Sequence, residues 1–175
     1  MMSYTLSYLD ETLYLADRPI DIGYASEPVE VVDAKGEAIT IGGMVRDTVQ
    51  IVIALPNLST PFAQMAQQII DQIQAPAGIR VWIVLNRIGS ETFVQSEWVK
   101  VVADTQGEFG GLYGVSIADG LLEGSLAPAL FVISRDGAIF YREVPTQIPC
   151  GFNIERFNHE ANRARHIYNG QGCHG

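Results

Sequence analysis

The sequence predicts an α/β fold: a central mixed β-sheet flanked by helices, with a β-hairpin arm at the N-terminal end. Three observations carry that expectation. Two continuous apolar runs, VQIVIAL (49–55) and IRVWIVL (79–85), fit strands covered on both faces. Between them Phe62, Met65, Ala66, Ile69, Ile70 and Ile73 recur at helical spacing and form one broad apolar stripe. A strand, helix and strand of these lengths make a right-handed crossover unit. Farther on, ALFVIS (129–134) and AIFYREV (138–144) flank Arg135-Asp136-Gly137, and Asp-Gly between apolar runs is a strong hairpin signal.

The remaining elements follow in order. Residues 4–22 alternate through Tyr4, Leu6, Tyr8, Leu13, Leu15, Ile20 and Ile22. Turn residues fall at Asp10-Glu11 and Asp17-Arg18-Pro19, so this stretch predicts the arm. VEVVDAKGEAITI (29–41) repeats the pattern around Ala34-Lys35-Gly36. Thr60 is the expected N-cap of the first helix and Pro61 its N1 residue, with Pro76 and Gly78 as stops. Ser90 is expected to cap a second helix with Val94, Trp98, Val101 and Val102 facing inward. A short helix is expected over Glu108 to Tyr113. Asn153 should start the last helix, with Ile154, Phe157, Ala161, Ala164 and Tyr168 on one stripe and Gly170 at its end. Arg163, Arg165 and His166 in its last turns suit the helix dipole. Trp82 and Trp98 are expected to fill the core. One domain over residues 1–168 and a flexible C-terminal tail over 169–175 complete the expectation. This order of elements matches a thioredoxin-like architecture.

Composition narrows the function classes. At 175 residues, 47% apolar and 18% charged, the chain is long enough for a sizeable core and too apolar to be disordered. A net charge of −9, with Lys35 and Lys100 as the lysines, disfavours nucleic acid as a partner. No apolar run reaches the roughly 20 residues of a membrane span. The opening MMSYTLSYLDETLYLAD lacks the basic start of a signal peptide, so a cytoplasmic location is expected. Two cysteines, Cys150 and Cys173, are too few for a disulfide scaffold and read as free thiols in a reducing compartment.

Four stretches carry a family resemblance: the arm ending at Arg18 to Gly23, LPNLSTPFA (55–63), EFGGLYGVSIADGLLEG (108–124) and LAPALFVISRDGAIFYREVP (126–145). Together they resemble the atypical two-cysteine peroxiredoxins of the bacterial thiol peroxidase type, over about residues 12 to 165. The resemblance implies a thioredoxin-like fold, a homodimer through residues near Asn57 to Ser59 and Ile117 to Gly124, and a redox-protein partner. It implies no cofactor. It also implies which residues should act. The family's strand-to-helix turn reads Pro-Ser-Leu-Asp-Thr-Pro-Val-Cys, which sets Ala63 where the peroxidatic cysteine belongs. The family's catalytic arginine, in an Ala-Arg-Ala run, falls on Pro128, between Ala127 and Ala129. The resolving cysteine falls within TFVQSEW (92–98), which contains none. Of the usual set only Thr60 and Pro61 remain.

Peroxide reduction needs a thiolate that attacks one peroxide oxygen and displaces the other. A helix N-terminus and an arginine lower the thiol pKa and stabilise charge moving onto the leaving oxygen. A methyl group at Ala63 cannot ionise, attack or become a sulfenic acid, and Pro128 has neither charge nor donor. Ser59 and Thr60 do not replace the thiol, because oxygen nucleophiles do not run the sulfur redox cycle. The expected function is therefore a thiol-peroxidase-like protein without peroxide reduction, a pseudoenzyme that binds or scaffolds. Its degenerate pocket is floored by Phe62, Ala63 and Pro128. The alternative is a thioredoxin-dependent thiol peroxidase that uses Cys150 or Cys173. His166, Cys173 and His174 form a weak metal-ligand set, and no metal is expected.

Overall fold

The structure is a computed structural model that describes residues 4–93, 95–148 and 151–166. Its strands are β1 (Thr5–Tyr8), β2 (Glu11–Tyr14), β3 (Val29–Val32), β4 (Ala38–Ile41), β5 (Val49–Ala54), β6 (Ile79–Leu85), β7 (Val99–Ala103), β8 (Ala129–Ile133), β9 (Ile139–Glu143) and β10 (Gln147–Ile148). Its helices are α1 (Thr60–Ile70), α2 (Glu108–Tyr113) and α3 (Ile154–His166). Seven strands form one mixed sheet in the order β4-β3-β7-β6-β5-β8-β9. β5, β6 and β7 run parallel, while β8 and β3 join on either side antiparallel.

The apolar runs behave as their composition requires. Every residue of β5 and β8 is buried, as strands in a sheet covered on both faces must be. α1 crosses from β5 to β6 and buries Phe62, Met65, Ala66 and Ile69. It lies against α3, which also packs on β8 and β9, while α2 packs on β3. Gln50, the one polar residue of β5, is 1% exposed and fully occupied. Its amide donates to the Gly43 carbonyl, and its Oε1 accepts from the Gly42 amide and the Trp82 indole. Burial of such a group is tolerable only with its partners in place.

The arm is a second sheet, β10-β1-β2. Its turn sits on Leu9 and Asp10, both at positive φ, one residue earlier than the pattern suggests. A two-residue loop with two positive φ values matches the twist of a hairpin. The two-residue β10, parallel to β1, closes the arm's other edge. Gly114 is required where the arm meets α2, because its φ is +72° and a Cβ there would stand 2.0 Å from the Arg18 carbonyl.

Several expectations need correction. No second helix starts at Ser90. Residues 86–98 carry no regular element among those described, and Val99–Ala103 is strand β7. Val-Lys-Val-Val-Ala has the branched residues and the exposed Lys100 of a strand, and β6 offers it a parallel partner. The N-cap of α1 is Ser59, with Thr60 already helical. α1 ends at Ile70, before Pro76, because the amides of Gln72 and Ile73 turn back onto the Ile69 and Ile70 carbonyls in three-residue steps. Trp82 and Trp98 are half-buried at the margin of the core. The expected tail over 169–175 lies outside the described residues.

Candidate functional site

The strand-to-helix turn is built by local chemistry. β5 ends at Ala54, and Leu55 and Pro56 are still buried. The Asn57 side chain then accepts the Ser59 amide at 2.9 Å, which tightens the turn into α1. Ser59 is extended at φ −61°, ψ 161°, and its hydroxyl makes no capping bond. The first turn carries no acid. Pro61 has no N–H and the Ala63 amide is taken by Ser59, so the first turn leaves the Thr60 and Phe62 amides without a side-chain acceptor among the described residues, and a helix start of this kind favours an anion.

Thr60 and Pro61 are exposed at this mouth, and Ala63 is half-buried, with its amide already donating to Ser59 at 2.9 Å. Phe62 turns inward, 1% exposed, its ring centroid 6.3 Å from that of Tyr8 on the arm. It belongs to the core and not to the floor of an open pocket. Pro128 is buried in the segment leading into β8. On β9, Arg142 donates to the carbonyls of Pro19 and Ile20 at 3.1 and 3.3 Å, which fixes that guanidinium to the arm. Ile117 is buried and bridged to Leu15, whereas Ala118 to Leu121 are exposed, Leu121 at 62%.

The cysteine candidates Cys150 and Cys173, and with them His174, lie outside the described residues. His166 is the last residue of α3 and exposed. Among the described residues no three His, Cys, Asp or Glu side chains group as metal ligands. No described helix is long and apolar enough to cross a membrane.

Beside the α1 mouth the structure holds a cleft that pattern reading misses. Its volume is about 580 Å³. It lies beyond the carboxyl ends of β5 and β6 and is lined by residues of three loops: Pro56 and Asn57, then Asn86, Arg87 and Gly89 to Glu91, then Glu123 and Ser125. Asn86 donates to the Gly124 carbonyl at 3.0 Å and so ties two of these loops together. No spacing signal unites three separate loops. A positional one was available, since Asn86-Arg87 directly follows an apolar run, and ligands of α/β sheets gather outside the carboxyl ends of strands.

Over 153 residues the chain is 27% identical to the thiol peroxidase of Aquifex aeolicus, which spans 84% of this chain and 90% of that protein. No family model matches the chain. Among solved structures it resembles the peroxiredoxin-like protein from Aquifex aeolicus with a TM-score of 0.78 and 24% identity, covering 94% of this chain and 99% of that one. Thiol peroxidase from Chromobacterium violaceum superposes with a TM-score of 0.75 at 13% identity, over 91% and 96% of the two chains. These likenesses establish a thioredoxin-like peroxiredoxin fold with added N-terminal strands and support kinship with the thiol peroxidases.

Proposed function

From a thiol peroxidase-like chain of thioredoxin fold, we propose that peroxide reduction at the α1 mouth has been lost. The protein then acts as a non-catalytic binding or structural homologue. One observation carries this reading: the first turn of α1 presents Ala63, and the segment entering β8 presents buried Pro128. Neither has an ionisable atom. A thiolate there would have drawn on the first-turn amides of α1 and on a guanidinium opposite. The amides remain, but the attacking sulfur and the charge partner do not. Loss of the thiolate removes the need for the arginine, so the two departures belong together. Arg142 does not substitute, since the carbonyls of Pro19 and Ile20 hold it.

The same reading includes a homodimer through residues near Asn57 to Ser59 and Ile117 to Gly124, a redox-protein partner, and a cytoplasmic location. The apolar, exposed Leu121 supports an interface there.

Reduced protein mixed with hydrogen peroxide and a thioredoxin system should consume NADPH no faster than buffer. Turnover that vanishes in Cys150→Ser or Cys173→Ser would overturn the proposal and move the chemistry to that thiol. Ala63→Cys should gain a labelable thiol yet stay near the background rate. Losing one electrostatic donor in such a site costs roughly 10²- to 10³-fold. Substantial activity in Ala63→Cys would mean that the charge at Pro128 matters less than argued.

A further inference from the structure

The cleft beside the α1 mouth gathers charges of both signs in one concave space without pairing them. Several charges at the margin of the core are committed: Asp104 to two amides, Glu143 to the Asn153 amide, Glu160 to Arg163, Arg142 to two carbonyls. In the cleft, Arg87, Glu91 and Glu123 form no ion pair or side-chain hydrogen bond among the described residues. They share a concave space with the amide side chains of Asn57 and Asn86 and the hydroxyls of Ser90 and Ser125.

That lining selects by charge. A simple anion would meet Arg87 but also two carboxylates, inside a chain of net charge −9. A simple cation would meet the carboxylates but also the guanidinium. A molecule carrying both charges satisfies the set. At about 580 Å³ the cleft has room for an amino acid or a dipeptide and falls within the range of small-molecule sites. Pro56 is its sole proline and the lining has no Val, Leu, Ile, Met or aromatic side chain, so the occupant is hydrophilic.

We propose that this cleft binds a small hydrophilic zwitterion, a free α-amino acid or a dipeptide. Arg87 receives the carboxylate, Glu91 and Glu123 receive the ammonium, and the Asn and Ser side chains satisfy the remaining polar atoms. Guanidinium suits the carboxylate because it presents paired donors to paired oxygens. The site is separate from Ala63 and Pro128, and it stands whether or not peroxide chemistry survives at the α1 mouth.

The test is titration of the isotope-labelled full chain with L-asparagine and with glycylglycine, followed by amide resonances. Each compound is paired with its N-acetylated and C-amidated form, and inorganic phosphate and ethanolamine serve as single-charge probes. The zwitterions should shift Asn57, Asn86, Arg87 and Ser125 saturably, with a Kd of about 0.1–1 mM for so polar and open a site. Blocking either charge should weaken binding at least about tenfold. Arg87→Ala should abolish the preference for L-asparagine over its C-amide, and Glu123→Gln should reduce the preference over the N-acetyl form. Both side chains are exposed, so the variants should fold. No saturable shift up to about 10 mM, the weakest affinity worth assigning to such a site, would overturn the proposal. So would phosphate or ethanolamine binding as tightly as the zwitterions. Peroxidase loss is read separately, by NADPH consumption, so failure here leaves that reading intact.

Discussion

Two helices start at the same end of the parallel strands, and they start differently. α2 follows β7, and its first amides are closed by the chain's own anion. Asp104, 4% exposed, accepts the Phe109 amide at 2.9 Å and the Gly110 amide at 2.8 Å. Glu108 adds a second acid to that first turn. α1 follows β5, with no acid in its first turn and no side-chain cap. A short helix of six residues needs a cap to exist, whereas α1, with eleven residues and a deep apolar stripe, is held by packing. The difference teaches that the open mouth of α1 is affordable to the fold. On the function proposed above, that mouth is the seat a thiolate would have used.

The comparison breaks first at Asp104. Asp104→Ala should leave two buried amides without acceptors and destabilise the protein by about 2–3 kcal/mol, read from urea unfolding. Loss of stability below about 0.5 kcal/mol, the scatter of neutral surface changes, would mean that α2 does not depend on its anion and that the contrast between the two helix starts is accidental.

Much of this contrast was legible in the sequence. The apolar stripe predicted α1, Glu108 to Tyr113 emerged as α2 with those bounds, and the Asp-Gly hairpin joined β8 to β9. The assignment of Ala63 and Pro128 to the positions of a cysteine and an arginine rests on the resemblance and remains part of the proposal. Other features were hidden for physical reasons. Val94, Trp98, Val101 and Val102 satisfy a helical spacing locally, yet β6 recruits Val99–Ala103 as its parallel neighbour, a tertiary preference no local period encodes. β10 is two residues long, too short for alternation to register. Asp104 lies before its helix rather than in its first turn, so an ordinary cap search passes over it. The zwitterion cleft draws on three loops that only the folded sheet brings together.

A change of opposite sign sharpens the comparison. Thr60 is exposed at the first helical position of α1. Thr60→Asp should supply the missing first-turn acid and stabilise the protein by about 0.3–1 kcal/mol at low salt, fading as salt is added. Its counterpart at α2 already has Asp104 and Glu108, so the gain should be peculiar to α1. A destabilisation by the same amount would mean that the mouth already holds negative potential, and the picture of an unoccupied anion seat would have to go.

The smallest effect is expected at Ser59. A serine at an N-cap ordinarily stabilises its helix by about 1 kcal/mol through a bond from its hydroxyl to an amide of the first turn. Here the residue has the extended backbone of a cap, but the hydroxyl makes no such bond. The turn is held instead by Asn57, which accepts the Ser59 amide, and by the Ser59 carbonyl, which accepts the Ala63 amide. Both of those bonds survive in alanine. Ser59→Ala should therefore change stability by less than about 0.5 kcal/mol, within the range of ordinary surface substitutions. Asn57→Ala, by contrast, removes a side-chain acceptor and should cost about 1 kcal/mol. If the two variants ranked the other way, the serine hydroxyl would be capping α1 in solution. The helix mouth would then be as closed as that of α2, and the difference on which the functional reading leans would shrink to the identity of one side chain at Ala63.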